Sequence, residues 1–406
     1  MISSKDALQA LARQVAMQPQ EEMLEVGKRG KRLQIGIPKE TSYQENRVAL
    51  VPDAVAVIVS HGHEVVVETN AGKNAYFEDR LYSEAGAQIA YDRKDVFKCD
   101  LVLKVAPPSH DEIALMGHKQ TLFSALQISV QPRDTLRKLM DKKVSAIAWD
   151  YIQDEEGIYP VVRAMGEIAG NAAVVIAAEY LSKGSGGQGL MFGGISGVAP
   201  TEVVIIGAGT VAEYATRAAL GLGATVKVFD FSIYRLRRLQ NDVGQRVFTS
   251  VIQPEELRRA LSSADVAIGA LRSAEGRTPT IVTEAMVSGM KEGSVIVDIS
   301  IDKGGCFETS EVTNHANPIF RRHGVIHYCV PNVASRVSRT ASVALSNVFT
   351  PLILNIGREG GCANLIKRNR GFRHGVYLYN GTLTNESLGE AFSLPYKDID
   401  LLFAAF

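Results

Sequence analysis

The feature that most constrains this chain is an apolar run at residues 203–206 that breaks into Gly207-Ala208-Gly209-Thr210-Val211-Ala212 and continues as a helix-forming run to about residue 222. A strand that turns through glycines straight into a helix is a βα unit, and such units build parallel sheets covered by helices. In this pattern Gly207 permits the tight turn. Gly209 removes a side chain where a pyrophosphate would approach, and Ala212 is small enough for close helix–strand packing. The first amides of the helix, at Thr210 and Val211, then point at a phosphate. Asp230 closes the next strand, where a carboxylate accepts hydrogen bonds from adenosine ribose hydroxyls. Glycine turn and acid in register predict a dinucleotide site. The acid repels a 2′-phosphate and so favours NAD over NADP, while Arg235, Arg237 and Arg238 nearby pull the other way, with Arg235 a candidate cofactor contact.

The rest of the chain repeats the same alternation. Runs at 32–38, 63–69 and 100–105 read as strands, with a helix from residue 52 to about 61 between the first two. A glycine-rich stretch at 182–200 reads as a loop. Further strands follow at 201–207, 224–230, 264–270 and 294–300, and a helix of small and apolar residues leaves from about residue 340. Residues 1–32 look like an added segment, with Ser3 or Ser4 capping a helix to about residue 17 and a basic end, KRGKR. The 406 residues suffice for two or three packed units. Lys plus Arg and Asp plus Glu both number 44, and this balance argues against a nucleic-acid partner. Cys99, Cys306, Cys329 and Cys362 lie too far apart for a zinc knuckle or a disulfide framework, and no signal or membrane-spanning run is evident, so a soluble cytoplasmic protein is expected.

Several segments together, IGIPKETSYQENRVALVP, DLVLKV, MGEIAG, GGISGV with VVIIGAGTVA, VDISIDKGGCFE and HYCVPNVASRVSRTAS, resemble the alanine dehydrogenases in order and spacing over residues 33–406. The resemblance implies an α/β fold in which a Rossmann NAD-binding domain is inserted into a second, discontinuous α/β substrate domain of flavodoxin- or Rossmann-like type. The implied bounds are an N-terminal helical extension at 1–32, substrate domain at 33–160 and 339–406, and nucleotide domain at 161–338. It further implies interconversion of L-alanine with pyruvate and ammonia by NAD in a homo-oligomer, usually a hexamer. By the same resemblance Arg47 and Lys104 bind substrate, Lys104 and Asp302 serve catalysis, and Ile299, Asp302, Val330 and Asn332 border the nicotinamide. The residue types fit: Arg47 offers a planar fork to a carboxylate, a lysine ending an apolar strand is expected to point into a cleft, and Asp302 follows a strand at the edge where open α/β sheets bind ligands.

The chain departs from the family pattern at Gln127, where the family has a histidine. Gln127 can orient a carbonyl or a water but cannot carry a proton at neutral pH. Lys104, Asp302, a bound water or, more remotely, His327 would have to do so. Gly166 stands for a frequent serine, Ser196 for a usual proline, and Asn332-Val333-Ala334-Ser335 for an NMPG-like segment. Alternatives are therefore an NAD-binding regulatory or weakly active homologue, a dehydrogenase of another small 2-oxo acid, and a transhydrogenase subunit.

Overall fold

The computed structural model describes residues 30–42, 44–126, 133–272 and 277–404. Almost all of the expected N-terminal extension, and Gln127, lie outside the described residues.

Six short strands come first: β1 (Gln34–Ile37), β2 (Glu64–Glu68), β3 (Gln88–Ala90), β4 (Leu101–Leu103), β5 (Thr121–Ser124) and β6 (Ser145–Ala148). Seven more follow the glycine-rich loop: β7 (Glu202–Ile206), β8 (Thr225–Asp230), β9 (Phe248–Val251), β10 (Val266–Gly269), β11 (Val295–Asp298), β12 (Ile319–Arg322) and β13 (Val325–Tyr328). The chain ends with the hairpin β14 (Val376–Tyr379) and β15 (Thr382–Leu383). They form two sheets, ordered β15-β14-β6-β5-β4-β1-β2-β3 and β12-β13-β11-β10-β7-β8-β9. In each, six strands are parallel with the nucleotide-binding order 3-2-1-4-5-6, and an antiparallel strand, β14 or β12, is added at the end of the row. The chain thus holds two α/β halves with one shared topology. Ligands of such sheets bind beyond the carboxyl ends of the strands, where the order reverses. Those points lie between β1 and β4 in the first sheet and between β7 and β10 in the second.

Strands β4, β6, β10, β11 and β13 are buried along their whole length, as parallel strands covered on both faces must be. Two long helices carry the chain between the sheets. The outgoing helix, Pro160–Leu181, opens with Pro160 in its first turn, starts with Val161 in the core of the first sheet, and ends with Ala173, Val174, Ile176, Ala177 and Leu181 in the core of the second. Periodicity overlooks it because its apolar residues are not confined to one stripe. It crosses the helix Thr210–Gly221 closely: a Cβ on Gly170 would lie 2.4 Å from the Val211 carbonyl oxygen. The returning helix, Ser338–Arg358, lays Leu345, Phe349, Ile353 and Ile356 back onto the first core. Both pass a length and hydropathy test for membrane-crossing helices, yet both run through these cores. β9 also escapes sequence reading because its residues are only partly buried.

Phe349 is fully buried and meets Phe123 edge-on at 5.5 Å and Trp149 at 6.2 Å. Phe349→Ala should therefore lower the unfolding free energy by about 3–5 kcal/mol, read as a shifted urea midpoint with unchanged slope.

Candidate active site

At the second switch point, β7 enters Gly207 with φ +118°, a conformation that glycine tolerates, and a Cβ there would lie 2.5 Å from the Ala270 carbonyl oxygen. Gly209 differs. Its φ is −88°, and a Cβ would meet no protein atom within 4 Å. The helix that it opens has no side-chain cap, so its first amides, at Thr210 and Val211, are left to a ligand or to solvent. A cradle with open space over Gly209 and uncapped amides fits a pyrophosphate. Asp230 is buried and braces this turn: Oδ2 accepts the Ala208 N–H at 2.7 Å and Oδ1 the Ser232 N–H at 2.8 Å. Each oxygen keeps one acceptor position, so the carboxylate holds the loop first and a ribose hydroxyl second. Arg235 is exposed on the helix Ile233–Val243, while Arg238 reaches back to the Ala208 carbonyl at 3.3 Å.

At the first switch point, the loop after β1 carries Glu45 and Arg47, both nearly closed to solvent. Glu45 grips the guanidinium with both oxygens: Arg47 Nε donates to Oε1 and Nη2 to Oε2, each at 2.7 Å. Nη2 also donates to Asn332 Oδ1 at 2.5 Å, and Asn332 Nδ2 donates to Glu45 Oε2 at 2.7 Å. Asn332 belongs to the loop after β13 in the other sheet, and its backbone N–H donates to Asp302 Oδ1 at 3.2 Å. The structure thus brings Arg47, Asn332 and Asp302 together across the two sheets. Ser335 reinforces the seam by accepting the Asn46 N–H at 2.8 Å. Arg47 Nη1 is the prong turned away from Glu45, toward the Met165 sulfur at 3.3 Å. Burial would raise the Glu45 carboxyl, but the Arg47 charge and the hydrogen bonds from Arg47 and Asn332 together outweigh it and hold the group below its usual range. Asp302 keeps exposed surface, and desolvation by the protein around its carboxyl raises its proton affinity against the pull of the Asn332 N–H and of Arg47.

Lys104 follows β4, but its side chain is sealed rather than open to a cleft. It is wholly buried, with Nζ donating to Glu40 Oε2 at 2.9 Å and to Glu112 Oε1 at 3.0 Å. Burial alone would depress this lysine; the two carboxylates outweigh it and raise its proton affinity. Glu40 in turn accepts the Val105 N–H at 2.6 Å, and Glu112 closes a capping box with Ser109. His327 is not a proton carrier here. It is fully buried, stacked on Phe320 and bonded to Thr309, and burial pushes its imidazole down to about 4. Val330 is buried in the second core and Ile299 packs against that core at the start of the turn Ile299–Lys303, which also holds Asp302.

Sequence reading missed Glu40, Glu45, Glu112, Asp150 and Arg272. Glu40 and Glu45 carried a signal, being acids just beyond the first strand, and Ser109-x-x-Glu112 is a capping-box pattern. Asp150 stands in the turn after β6, half-buried, with Oδ1 accepting the Leu126 N–H at 3.1 Å.

The Alanine dehydrogenase/PNT N-terminal domain matches residues 36–169 and the Alanine dehydrogenase/PNT C-terminal domain matches residues 173–386. The chain is 38% identical to "Alanine dehydrogenase 2" of Staphylococcus aureus (strain USA300) over 369 residues, 91% of this chain and 99% of that protein. It superposes on a solved L-alanine dehydrogenase with a TM-score of 0.84 at 35% identity, covering 89% of this chain and 99% of the other. A transhydrogenase from Sinorhizobium meliloti shares the fold, with a TM-score of 0.74 at 22% identity over 87% of this chain and 99% of that one.

The two glycines separate ligand from scaffold. Gly209→Ala should melt within about 1 kcal/mol of the wild type yet lose NADH affinity at least tenfold by fluorescence titration. Gly207→Ala should instead lose several kcal/mol of stability through its positive φ and the Ala270 clash. Equal NADH affinity in folded Gly209→Ala would exclude this cradle as the phosphate site.

Proposed function

The chain belongs to the alanine dehydrogenase/PNT family and is an NAD-dependent oxidoreductase acting on an amino acid; from that premise we propose that the amino acid is L-alanine, oxidatively deaminated to pyruvate and ammonia in a reversible reaction. The supporting observation is the meeting of Arg47, Asn332 and Asp302 where the carboxyl edges of the two sheets face one another. A dinucleotide over the Gly207–Gly209 turn of one sheet would there face a carboxylate receptor on the other. NAD, when bound, supplies the hydride acceptor.

The residues then divide the work. Arg47 Nη1 takes the substrate carboxylate, while Glu45 and Asn332 hold the guanidinium plane in a fixed orientation. Lys104, with Glu40 and Glu112, contributes a fixed buried charge behind that position. Gly207, Gly209, Thr210 and Val211 hold the phosphates, Asp230 and Arg235 lie toward the adenosine end, and Ile299, Val330 and Asn332 bound the nicotinamide end. Asp302, beside Arg47, orients the amino group and its leaving proton. Gln127 orients a carbonyl or a water. Residues 33–160 and 339–406 form the substrate domain and 161–338 the nucleotide domain, with the two long helices as the connections that bend when the cleft closes on substrate. The enzyme is a cytoplasmic homo-oligomer, a hexamer in keeping with the family resemblance. Exposed Val175, Met191, Ile195 and Val198 supply apolar surface for subunit contacts.

NADH oxidation with a panel of 2-oxo acids and ammonia tests the assignment, and pyruvate should give the highest kcat/KM. Preference for another 2-oxo acid would move the substrate. Tight NADH binding without turnover at any pH would leave a regulatory NAD-binding protein. Arg47→Lys, which cannot hold Glu45 with a planar fork and still present a third nitrogen to the substrate, should raise the KM for pyruvate at least tenfold while NADH affinity stays within twofold. An unchanged KM would remove Arg47 as the carboxylate receptor.

A further inference from the structure

The sequence has Gln127 where the resemblance leads one to expect a histidine, and Lys104 and His327 are both sealed. One carboxyl is bonded to the backbone just ahead of that position in the chain. β5 and β6 pair in register, Ser124 opposite Ala148, so Leu126 and Asp150, two residues beyond each strand, meet at the carboxyl edge of the first sheet. Asp150, in the turn after β6, binds the backbone N–H of Leu126, the residue directly before Gln127. It is largely buried but not sealed, unlike Lys104. The charges of Arg272, three residues beyond β10, and Lys303, at the end of the turn after β11, act on it from the nucleotide sheet, and Tyr151 and Tyr377 couple to it within its own sheet. Arg272 also acts on Asp302, so both acids lie in the field of one guanidinium.

We propose that Asp150 is the proton carrier of this cleft, doing through a carboxyl what a histidine at position 127 would otherwise do. The assignment deepens the amino-acid dehydrogenase reading and rests on it. Burial holds the Asp150 carboxyl up to about 6, against the pull of the Leu126 amide, Arg272 and Lys303. Such a group gives and takes protons near neutrality, where an ordinary aspartate is locked in its anionic form. In the deamination direction, once hydride has left Cα, the substrate is an iminium ion. The Asp150 carboxylate takes a proton from water as the water oxygen bonds to the imine carbon. The resulting acid returns that proton to the amine nitrogen. The carboxylate then accepts the hydroxyl proton as the C–N bond breaks, leaving the 2-oxo acid and ammonia, and ammonia takes the proton as ammonium.

The sign of the pH dependence follows. Deamination needs the carboxylate, so kcat for L-alanine oxidation should fall as pH drops through about 6. Asp150→Asn, which keeps the acceptor for the Leu126 amide, should lower kcat at least 100-fold, erase that inflection and leave NADH affinity within twofold. Asp150→Glu should keep an inflection within one pH unit, and adding Gln127→His to Asp150→Asn should restore turnover. Isotope-edited infrared titration of the wild type should show a carboxyl band changing near pH 6 that both Asp150→Asn and Asp150→Ser lack. An Asp150→Asn enzyme with the wild-type rate and inflection, or a wild-type band that survives in these variants, overturns the assignment and leaves the dehydrogenase reading standing. Failure of the wild type itself to turn over any amino acid or 2-oxo acid, at full NADH binding, overturns both.

Discussion

A guanidinium removed from water must be neutralised and hydrogen-bonded, and the way this chain meets that demand at Arg47 organises the rest of its cleft. Glu45 supplies the counter-charge from two residues away in the same loop, and Asn332 supplies the remaining acceptor from the opposite sheet. Breaking a buried pair by removing one partner typically costs 3–5 kcal/mol, which fixes Arg47 to Glu45, and the two Asn332 hydrogen bonds then tie that pair to the opposite loop. Asn332 sits at φ +62°, a conformation that asparagine adopts more readily than most residues. Its backbone N–H is thereby directed at Asp302 while its side chain faces Arg47 and Glu45. One residue therefore sets the spacing between the carboxylate receptor of one sheet and an acid of the other.

The electrostatics divide the cleft into sealed and open charges. Lys104, Glu40 and Glu112 are closed to solvent and satisfied by one another, which suits a fixed field and does not suit proton exchange. Asp150 and Asp302 are reachable, lie near arginines, and have carboxyls raised by their surroundings. Groups with shifted proton affinity in an accessible cleft are those that chemistry uses.

Much of the fold could be read from residues because parallel strands buried on both faces announce themselves as short apolar runs. The glycine turn at 207–209 also announces its ligand, since Gly207 is required by the backbone and Gly209 is not. The outgoing helix Pro160–Leu181 was illegible because it touches two cores on different sides and so shows no single stripe. Lys104 was legible as anomalous but not as sealed: its partners come from the turn after β1 and from a capping box, brought beside β4 only by the strand order. Asp150 gave no local signal at all. Its place depends on the register of β5 with β6 and on Arg272 and Lys303 arriving from the other sheet.

The returning helix has a consequence for how the polypeptide emerges during synthesis. The first six strands leave the ribosome early, yet Leu345, Phe349, Ile353 and Ile356, which cover one face of their sheet, and β14, which completes its edge beside β6, are made some two hundred residues later. The interior unit has all seven of its strands and the helices of its own core by residue 328. It is the part able to condense first on the emerging chain, while the earlier-made sheet waits with apolar surface uncovered, the state in which a nascent protein most needs a chaperone.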